Sequence, residues 1–139
     1  MPRDENCIFC KIVSGAIPAQ VIAGSENCIA ALDAFPATRG HVLIMTKEHR
    51  ETLLDMSDGE LCETALLMRD VGGAVKRAMN CSGINFINNL GESAGQKIMH
   101  AHSHILPRYE GDSVEMAFQQ TKPTDEEKAA VLKAIKAEL

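Results

Sequence analysis

Apolar residues fall into short runs separated by polar turns, which is the pattern of β-strands joined by loops. The runs Cys28–Leu32 and HVLIMT after Gly40 are rich in aliphatic residues and predict two buried strands. Residues 84–88 (INFIN) predict a third strand. Residues 97–106 alternate between apolar and polar positions and predict a fourth strand, which Pro107 should end because proline lacks a backbone N–H.

Two other segments have the spacing of amphipathic helices. Ser57 and Glu60 form a capping box, and Thr124 and Glu127 form a second one. The first helix should end near Asn80, and residues 8–13 predict a further helical turn or two. The predicted apolar positions are Leu61, Ala65, Met68, Val71, Gly72 and Val75 in the first helix, and Val131, Leu132 and Ile135 in the second. Strands interleaved with helices predict an α+β domain with a mainly antiparallel sheet.

The composition fits one soluble domain over residues 1–139. Hydrophobic residues make up 45% and charged residues 24% of the 139 positions. No apolar run approaches the ~20 residues of a membrane span, and the N-terminus lacks the apolar stretch of a secretory signal. We therefore expect a cytoplasmic protein without membrane contact. The net charge of −5 and the 4% aromatic content argue against a nucleic-acid partner. The five scattered cysteines do not predict a disulfide framework.

Three of the five histidines, His100, His102 and His104, alternate along the fourth predicted strand. Alternate strand residues share a face, so three imidazoles should lie about 6.6 Å apart on one side of the sheet. Such a set could hold a catalytic zinc ion, or one histidine could be a nucleophile whose neighbours bind a phosphate. The glycine-bracketed loop at 91–95 followed by Gln96 offers donors to an anion and favours phosphorus chemistry.

Residues 89–109, NLGESAGQKIMHAHSHILPRY, resemble the signature of the histidine triad family. CIFCKIVSGAIPAQVI and CIAALDAFPATRGHVLIMTKEH resemble two earlier segments of that family, so the likeness covers about residues 7–109. The tail and helix at 110–139 lie outside it. The resemblance implies a five-stranded antiparallel sheet with two main helices, and pairing of two chains into a homodimer.

The resemblance also implies a reaction. His102 should attack the α-phosphorus of a purine nucleotide derivative, either a phosphoramidate or a dinucleoside polyphosphate, to form a nucleotidyl-histidine that water hydrolyses. His104 should donate to a phosphate oxygen, and no metal is needed for this step. Substrate contacts are implied for Asp33 (ribose), Asn89 and Gln96 (phosphate or leaving group), His41 (near the triad), and Ile8, Phe9 and Phe35 (base). The alternative is a nucleotide-binding, zinc-stabilised interaction protein with vestigial activity.

Cys7 and Cys10 form a CxxC motif, which indicates either a metal pair or a redox pair. The family resemblance implies that His49 and His100 complete a structural zinc site with these two thiols. His100 would then support the triad strand and would not contact the phosphate.

Overall fold

The computed structural model describes residues 3–139, which form three α-helices and five strands in one sheet. The helices are α1 (Ile8–Ser14), α2 (Asp58–Met79) and α3 (Asp125–Ala137). The strands are β1 (Val21–Gly24), β2 (Cys28–Leu32), β3 (Val42–Thr46), β4 (Gly83–Asn88) and β5 (His102–Arg108). None of the helices in this part of the chain has the length and apolar character needed to cross a bilayer.

The sheet has the order β1-β2-β3-β5-β4, and every neighbouring pair is antiparallel. The predicted antiparallel five-stranded sheet is confirmed. The sequence pattern alone did not reveal β1, whose four residues include a shift of register against β2. Strand β5 lies inside the sheet, because β3 pairs with it on one side and β4 on the other.

The two faces of the sheet carry separate apolar clusters. Ala30, Val42, Ile44 and Ile105 face α2, where Leu67, Val71 and Val75 cover them. On the other face, Ile29, Leu43 and Met45 pack with Phe9 of α1. In the pairing of β3 with β5, His102 lies opposite Met45 and His104 lies opposite Leu43. These two histidines therefore belong to the α1 face of the sheet.

Helix α2 begins and ends where the sequence predicts. The Ser57 hydroxyl accepts from the backbone N–H of Glu60, and the Glu60 carboxylate accepts from the backbone N–H of Ser57. Asn80 ends the helix in the left-handed conformation, with φ of 51°. The predicted apolar face is correct at Val71 and Val75 but not at Ala65, which is exposed while Leu67 is buried.

The predicted strand at 97–106 is wrong in its first half, because β5 begins only at His102. Just before it, the N–H of His100 donates to the carbonyl of Ile98, and the N–H of Ala101 donates to the carbonyl of Arg50. Those backbone groups are therefore turned away from the sheet. His100 consequently does not share a strand face with His102.

Pro107 does not end the pairing of β5, contrary to the prediction. Pro107 lies opposite Ile84, and the pairing of β5 with β4 continues to Arg108. The carbonyl of Pro107 accepts from the Thr38 hydroxyl at 2.6 Å, on the side away from β4. A residue's N–H and C=O point to the same side of an antiparallel strand, so the missing N–H costs β4 no hydrogen bond.

The C-terminal segment lies apart from the core. Thr124 caps α3 by accepting from the backbone N–H of Glu127, as the second capping motif predicts. Every residue from Glu115 to Leu139 is exposed, including Val131, Leu132 and Ile135. The predicted apolar side of α3 is therefore uncovered within this chain.

Candidate active site and metal centre

The ring of His102 is held in one tautomer by a backbone hydrogen bond. Its Nδ1 lies 2.7 Å from the carbonyl oxygen of His100, and a carbonyl can only accept, so Nδ1 carries the proton. The Nε2 lone pair is then free in the neutral ring. Burial lowers the pKa of His102, which keeps the imidazole neutral near pH 7.

His104 follows on the same face and is tied to a second histidine. The ring centroids of His102 and His104 are 5.1 Å apart. Nδ1 of His104 lies 2.9 Å from Nε2 of His41. Burial lowers the pKa of His41, and it lowers that of His104 to about 4. Both rings are therefore neutral at physiological pH.

Asp33 lies at the far side of the His41 ring. Its Oδ2 is 3.5 Å from Nδ1 of His41, and its Oδ1 accepts from the backbone N–H of Phe35 at 2.9 Å. Asp33, His41 and His104 are close enough to suggest a metal site. However, Asp33 and His104 approach opposite nitrogens of His41, so the three do not converge on one point.

A second cluster contains the four residues predicted to bind zinc: Cys7, Cys10, His49 and His100. Nδ1 of His100 lies 3.3 Å from Sγ of Cys7 and 3.5 Å from Sγ of Cys10, and Nδ1 of His49 lies 3.4 Å from Sγ of Cys10. With Zn–S near 2.3 Å and Zn–N near 2.0 Å, a tetrahedral ion would separate sulfur and nitrogen ligands by about 3.5 Å. The donor set therefore fits zinc in both chemistry and spacing.

The surroundings of His100 prepare its ring for a metal. Nε2 of His100 lies 2.7 Å from the carbonyl oxygen of Thr46, so Nε2 carries the proton and Nδ1 keeps its lone pair. The backbone N–H groups of Cys10 and Asp4 donate to the two sulfurs, at 3.4 Å on Cys7 and 3.3 Å on Cys10. The Asp4 N–H favours the thiolate of Cys10, but burial is the larger effect and raises the pKa of that thiol.

Two residues predicted to contact substrate, Phe9 and Gln96, are buried against other parts of the chain. Phe9 is only 5% exposed, and its ring stands edge-on to His102 and His100 at centroid distances of 4.9 and 5.8 Å. It packs beneath the imidazoles, and its contact with a base stays a prediction. Gln96 is 2% exposed; its Oε1 accepts from Gly91, and its Nε2 donates to the carbonyls of Glu51 and Ile98. Gln96 therefore fixes the loop and has no donor left for a phosphate.

The other predicted contacts stay accessible. Ile8 is 46% exposed and Phe35 is 91% exposed, as a site for a flat base requires. The side chain of Asn89 is partly exposed and reaches the carbonyl of Gly95 at 3.5 Å. These residues remain predictions, because no contact in the chain itself assigns them a role.

Sequence reasoning missed three residues that hold the histidines. Thr46 binds His100 through its carbonyl, Asn88 donates to the carbonyl of His102 at 3.1 Å, and the carbonyl of Arg50 accepts from Ala101. None of these belongs to a recognisable motif. Only the sheet register, which places Asn88 opposite Ser103, could have indicated the second of them.

The fold and the histidine arrangement define a histidine triad protein, and comparison with known families agrees. The family model described as the HIT domain matches residues 14–111, so the chain belongs to the HIT, or histidine triad, family. The chain is 42% identical over 130 residues to the uncharacterized HIT-like protein MJ0866 of Methanocaldococcus jannaschii, covering 94% of this chain and 98% of that one. A crystal structure of a HIT family member from Bacillus subtilis is 33% identical, with a TM-score of 0.92 over 97% of this chain and 98% of that one.

Some relatives have names that state an activity or a ligand. Adenosine 5'-monophosphoramidase hnt1 of Schizosaccharomyces pombe is 35% identical over 74% of each chain. Adenylylsulfatase HINT3 of Arabidopsis thaliana is 33% identical over 78% of this chain and 55% of its own. A Zn-bound histidine triad protein from Mycobacterium smegmatis is 34% identical, with a TM-score of 0.74 over 96% of this chain and 94% of that one. At the level of the family, these relatives support a nucleotide hydrolase.

Proposed function

We propose that this protein hydrolyses purine nucleotide derivatives at the α-phosphate through a nucleotidyl intermediate on His102. The observation that carries the proposal is the orientation of the His102 ring, whose Nδ1 proton is held by the His100 carbonyl at 2.7 Å. That bond leaves Nε2 free to attack phosphorus. The relatives named as a phosphoramidase and an adenylylsulfatase support the same reaction class.

Other residues around His102 supply binding and charge stabilisation in this proposal. His104 donates to a non-bridging phosphate oxygen, and Asp33 accepts from the ribose hydroxyls. Asn89 contacts the phosphate region, while the exposed side chains of Ile8 and Phe35 take the base. His41 does not contact the substrate in this proposal and acts by its hydrogen bond to the ring of His104. The two substrate types we propose are nucleoside phosphoramidates and dinucleoside polyphosphates.

The test is to replace the nucleophile and to look for the intermediate. His102→Ala should abolish turnover and remove the nucleotidyl adduct that mass spectrometry finds after rapid acid-free quenching. Nucleotide binding and the unfolding midpoint should change little. His104→Asn is the matched control, because it keeps the nucleophile and should form the adduct slowly. Turnover by His102→Ala at the wild-type rate would contradict the mechanism, and binding without any adduct in the wild type would favour the vestigial interaction protein.

We also propose that Cys7, Cys10, His49 and His100 bind one structural zinc ion. The ligand spacing and the Zn-bound relative support this assignment. A cytoplasmic location would keep both thiols reduced. Elemental analysis should find one zinc per chain in the wild type and much less in Cys10→Ser, whereas Cys62→Ser, at an exposed thiol outside the cluster, should keep the metal. Metal-free protein with an unchanged unfolding midpoint would refute the assignment.

A homodimer is the third proposal. Strand β4 is an edge of the sheet, and its six residues, GINFIN, carry no charge and no proline to prevent pairing with another strand. Phe86 on this strand is half exposed. Pairing of the β4 strands of two chains would cover both the unpaired edge of the sheet and the Phe86 ring. Sedimentation should show a dimer, and Ile84→Pro, which removes one backbone donor from the side of β4 that points away from β5, should weaken dimerisation.

A further inference from the structure

The segment between β2 and β3, residues 33–41, carries two of the proposed substrate contacts, Asp33 and Phe35. We call it the β2–β3 loop. The N–H of Asp33 donates to the carbonyl of His41 at 3.0 Å, and the N–H of His41 donates to the carbonyl of Thr38 at 3.2 Å. These backbone bonds hold the loop together, but they do not tie it to β5.

Two side-chain hydroxyl groups join the β2–β3 loop to the end of β5. The Thr38 hydroxyl donates to the carbonyl of Pro107 at 2.6 Å. The Tyr109 hydroxyl donates to the carbonyl of Arg39 at 2.5 Å. One donor lies on the loop and the other lies directly after β5, so each segment both gives and receives a hydrogen bond.

The loop also packs closely on its neighbours. Gly40 has a φ of 90°, and a Cβ at this position would lie 2.7 Å from Cγ of Met79 and 3.4 Å from Cγ of Pro107. Only a glycine fits between the loop and the end of α2. At the end of the loop, the ring of His41 contacts that of His104 on β5. The two hydroxyl groups therefore act on a segment that already lies against the sheet.

Tyr109 is itself held in place by Asp112. Oδ2 of Asp112 accepts from the N–H of Tyr109 at 2.9 Å and from Nε of Arg108 at 2.8 Å. Nη1 of Arg108 donates to Oδ1 of Asn85 on β4 at 2.9 Å. The backbone of Tyr109 is thus anchored to the sheet, and its hydroxyl acts on the loop from a fixed point.

The position of the loop relative to β5 matters because one substrate molecule must meet both. Under the proposed function, the ribose meets Asp33 on the loop, whereas the α-phosphorus meets His102 on β5. A shift of the loop would move Asp33 away from the ribose while β5 stays in place. The carboxylate has little freedom to follow the ribose, because its Oδ1 accepts from the N–H of Phe35 at 2.9 Å.

We propose that Tyr109 is a positioning residue for ribose recognition: its hydroxyl, together with that of Thr38, holds the β2–β3 loop where Asp33 reaches the ribose hydroxyls. Neither Tyr109 nor Thr38 contacts the nucleotide. The inference rests on the proposed function only through the ribose contact of Asp33, and it adds the residues on which that contact depends. Loss of one such neutral hydrogen bond should weaken ribose recognition about three- to tenfold.

The first experiment measures the dissociation constants of AMP and of dideoxy-AMP, which lacks both ribose hydroxyls, by isothermal titration calorimetry on the full chain. The ratio of the two constants is the ribose preference, and the wild type should bind AMP more tightly. Tyr109→Phe removes only a hydroxyl and should lower this preference about three- to tenfold by weakening AMP binding alone. Ser82→Ala is the matched control. The Ser82 hydroxyl donates to the carbonyl of Arg108 at 3.0 Å, beside Tyr109 but from the residue before β4, so its loss should leave the preference unchanged.

Thr38 provides a second and independent pair of variants. Thr38→Ser keeps the hydroxyl and should retain the ribose preference, whereas Thr38→Val removes it and should lower the preference as Tyr109→Phe does. The inference would be overturned if Tyr109→Phe weakened both nucleotides equally or left the ribose preference unchanged. A wild type that binds AMP and dideoxy-AMP equally would also overturn it.

The p-nitrophenyl esters of the two nucleotides separate this inference from the proposed function. Hydrolysis of both esters with equal kcat/KM would refute the inference and leave the hydrolase standing. A ribose preference in binding that Tyr109→Phe lowers, without turnover of either ester, would refute the hydrolase and leave the role of Tyr109 standing.

Discussion

The buried carboxylate of Glu60 should contribute far more to stability than an exposed carboxylate with a shorter ion pair. Glu60 is 3% exposed and accepts from Nε of Arg50 at 3.1 Å and from the N–H of Ser57 at 2.8 Å. Asp70 on the same helix lies closer to its own partner, Arg69, at 2.8 Å, but is 65% exposed. Distance alone would rank the two pairs in the opposite order.

The magnitude follows from burial. Removing one partner of a buried pair costs about 3–5 kcal/mol, because the remaining charge is desolvated without compensation. Arg50 is 21% exposed and also contacts Glu48 at 3.1 Å, and a glutamine at position 60 still accepts from Ser57. We therefore expect Glu60→Gln to lower the free energy of unfolding by about 2–3 kcal/mol. Asp70→Asn, at an exposed pair, should produce no measurable change.

Urea denaturation followed by circular dichroism measures both variants under the same conditions. Losses that agree within about 0.5 kcal/mol would refute the argument from burial. The change should also reach the active site, because the carbonyl of Arg50 accepts from the N–H of Ala101, between His100 and His102. Glu60→Gln should thus lower kcat even where the protein is fully folded, and Asp70→Asn should not.

Two further predictions concern α2 and pH. A methyl group at Gly72 would lie 2.9 Å from the Phe86 ring, whereas at Gly73 its nearest atom is the flexible Arg77 guanidinium at 3.3 Å. In urea denaturation, Gly72→Ala should therefore destabilise by about 1–2 kcal/mol, and Gly73→Ala should stabilise by about 0.5–1 kcal/mol; equal effects would contradict this. Because burial lowers the pKa of His102, and lowers that of His104 to about 4, both rings stay neutral as the pH falls below 6.5. The acidic limb of kcat/KM for the p-nitrophenyl ester of AMP should lie below pH 6.5, and a limb at or above that value would oppose the prediction.

Local signals in the sequence were sufficient for elements that local interactions specify. Helix α2 begins after the capping box at Ser57 and ends at the left-handed residue Asn80, as predicted. Each of these signals depends on contacts within a single turn. The predicted start of β5 was wrong. Alternation of apolar and polar residues cannot reveal that the N–H of Ala101 donates to the carbonyl of Arg50, which is far away in sequence.

The candidate site was predictable in residue type but less so in role. Gln96 and Phe9 were assigned to substrate, yet both are buried by contacts that the sequence does not encode locally. The predicted zinc ligands lie in three separate segments, so their spacing along the chain could not assemble them. The family resemblance did, and the structure brings their ligand atoms within 4.8 Å of one another.

His100 contributes to two clusters, with its ring in the candidate metal centre and its backbone carbonyl next to His102. Its ring nitrogen faces the thiols, while its carbonyl holds the proton of His102. Substitution of the cysteines would thus affect the ring of His102 through a single residue. A variant of this chain that lost the cysteine pair would need new contacts to anchor that carbonyl.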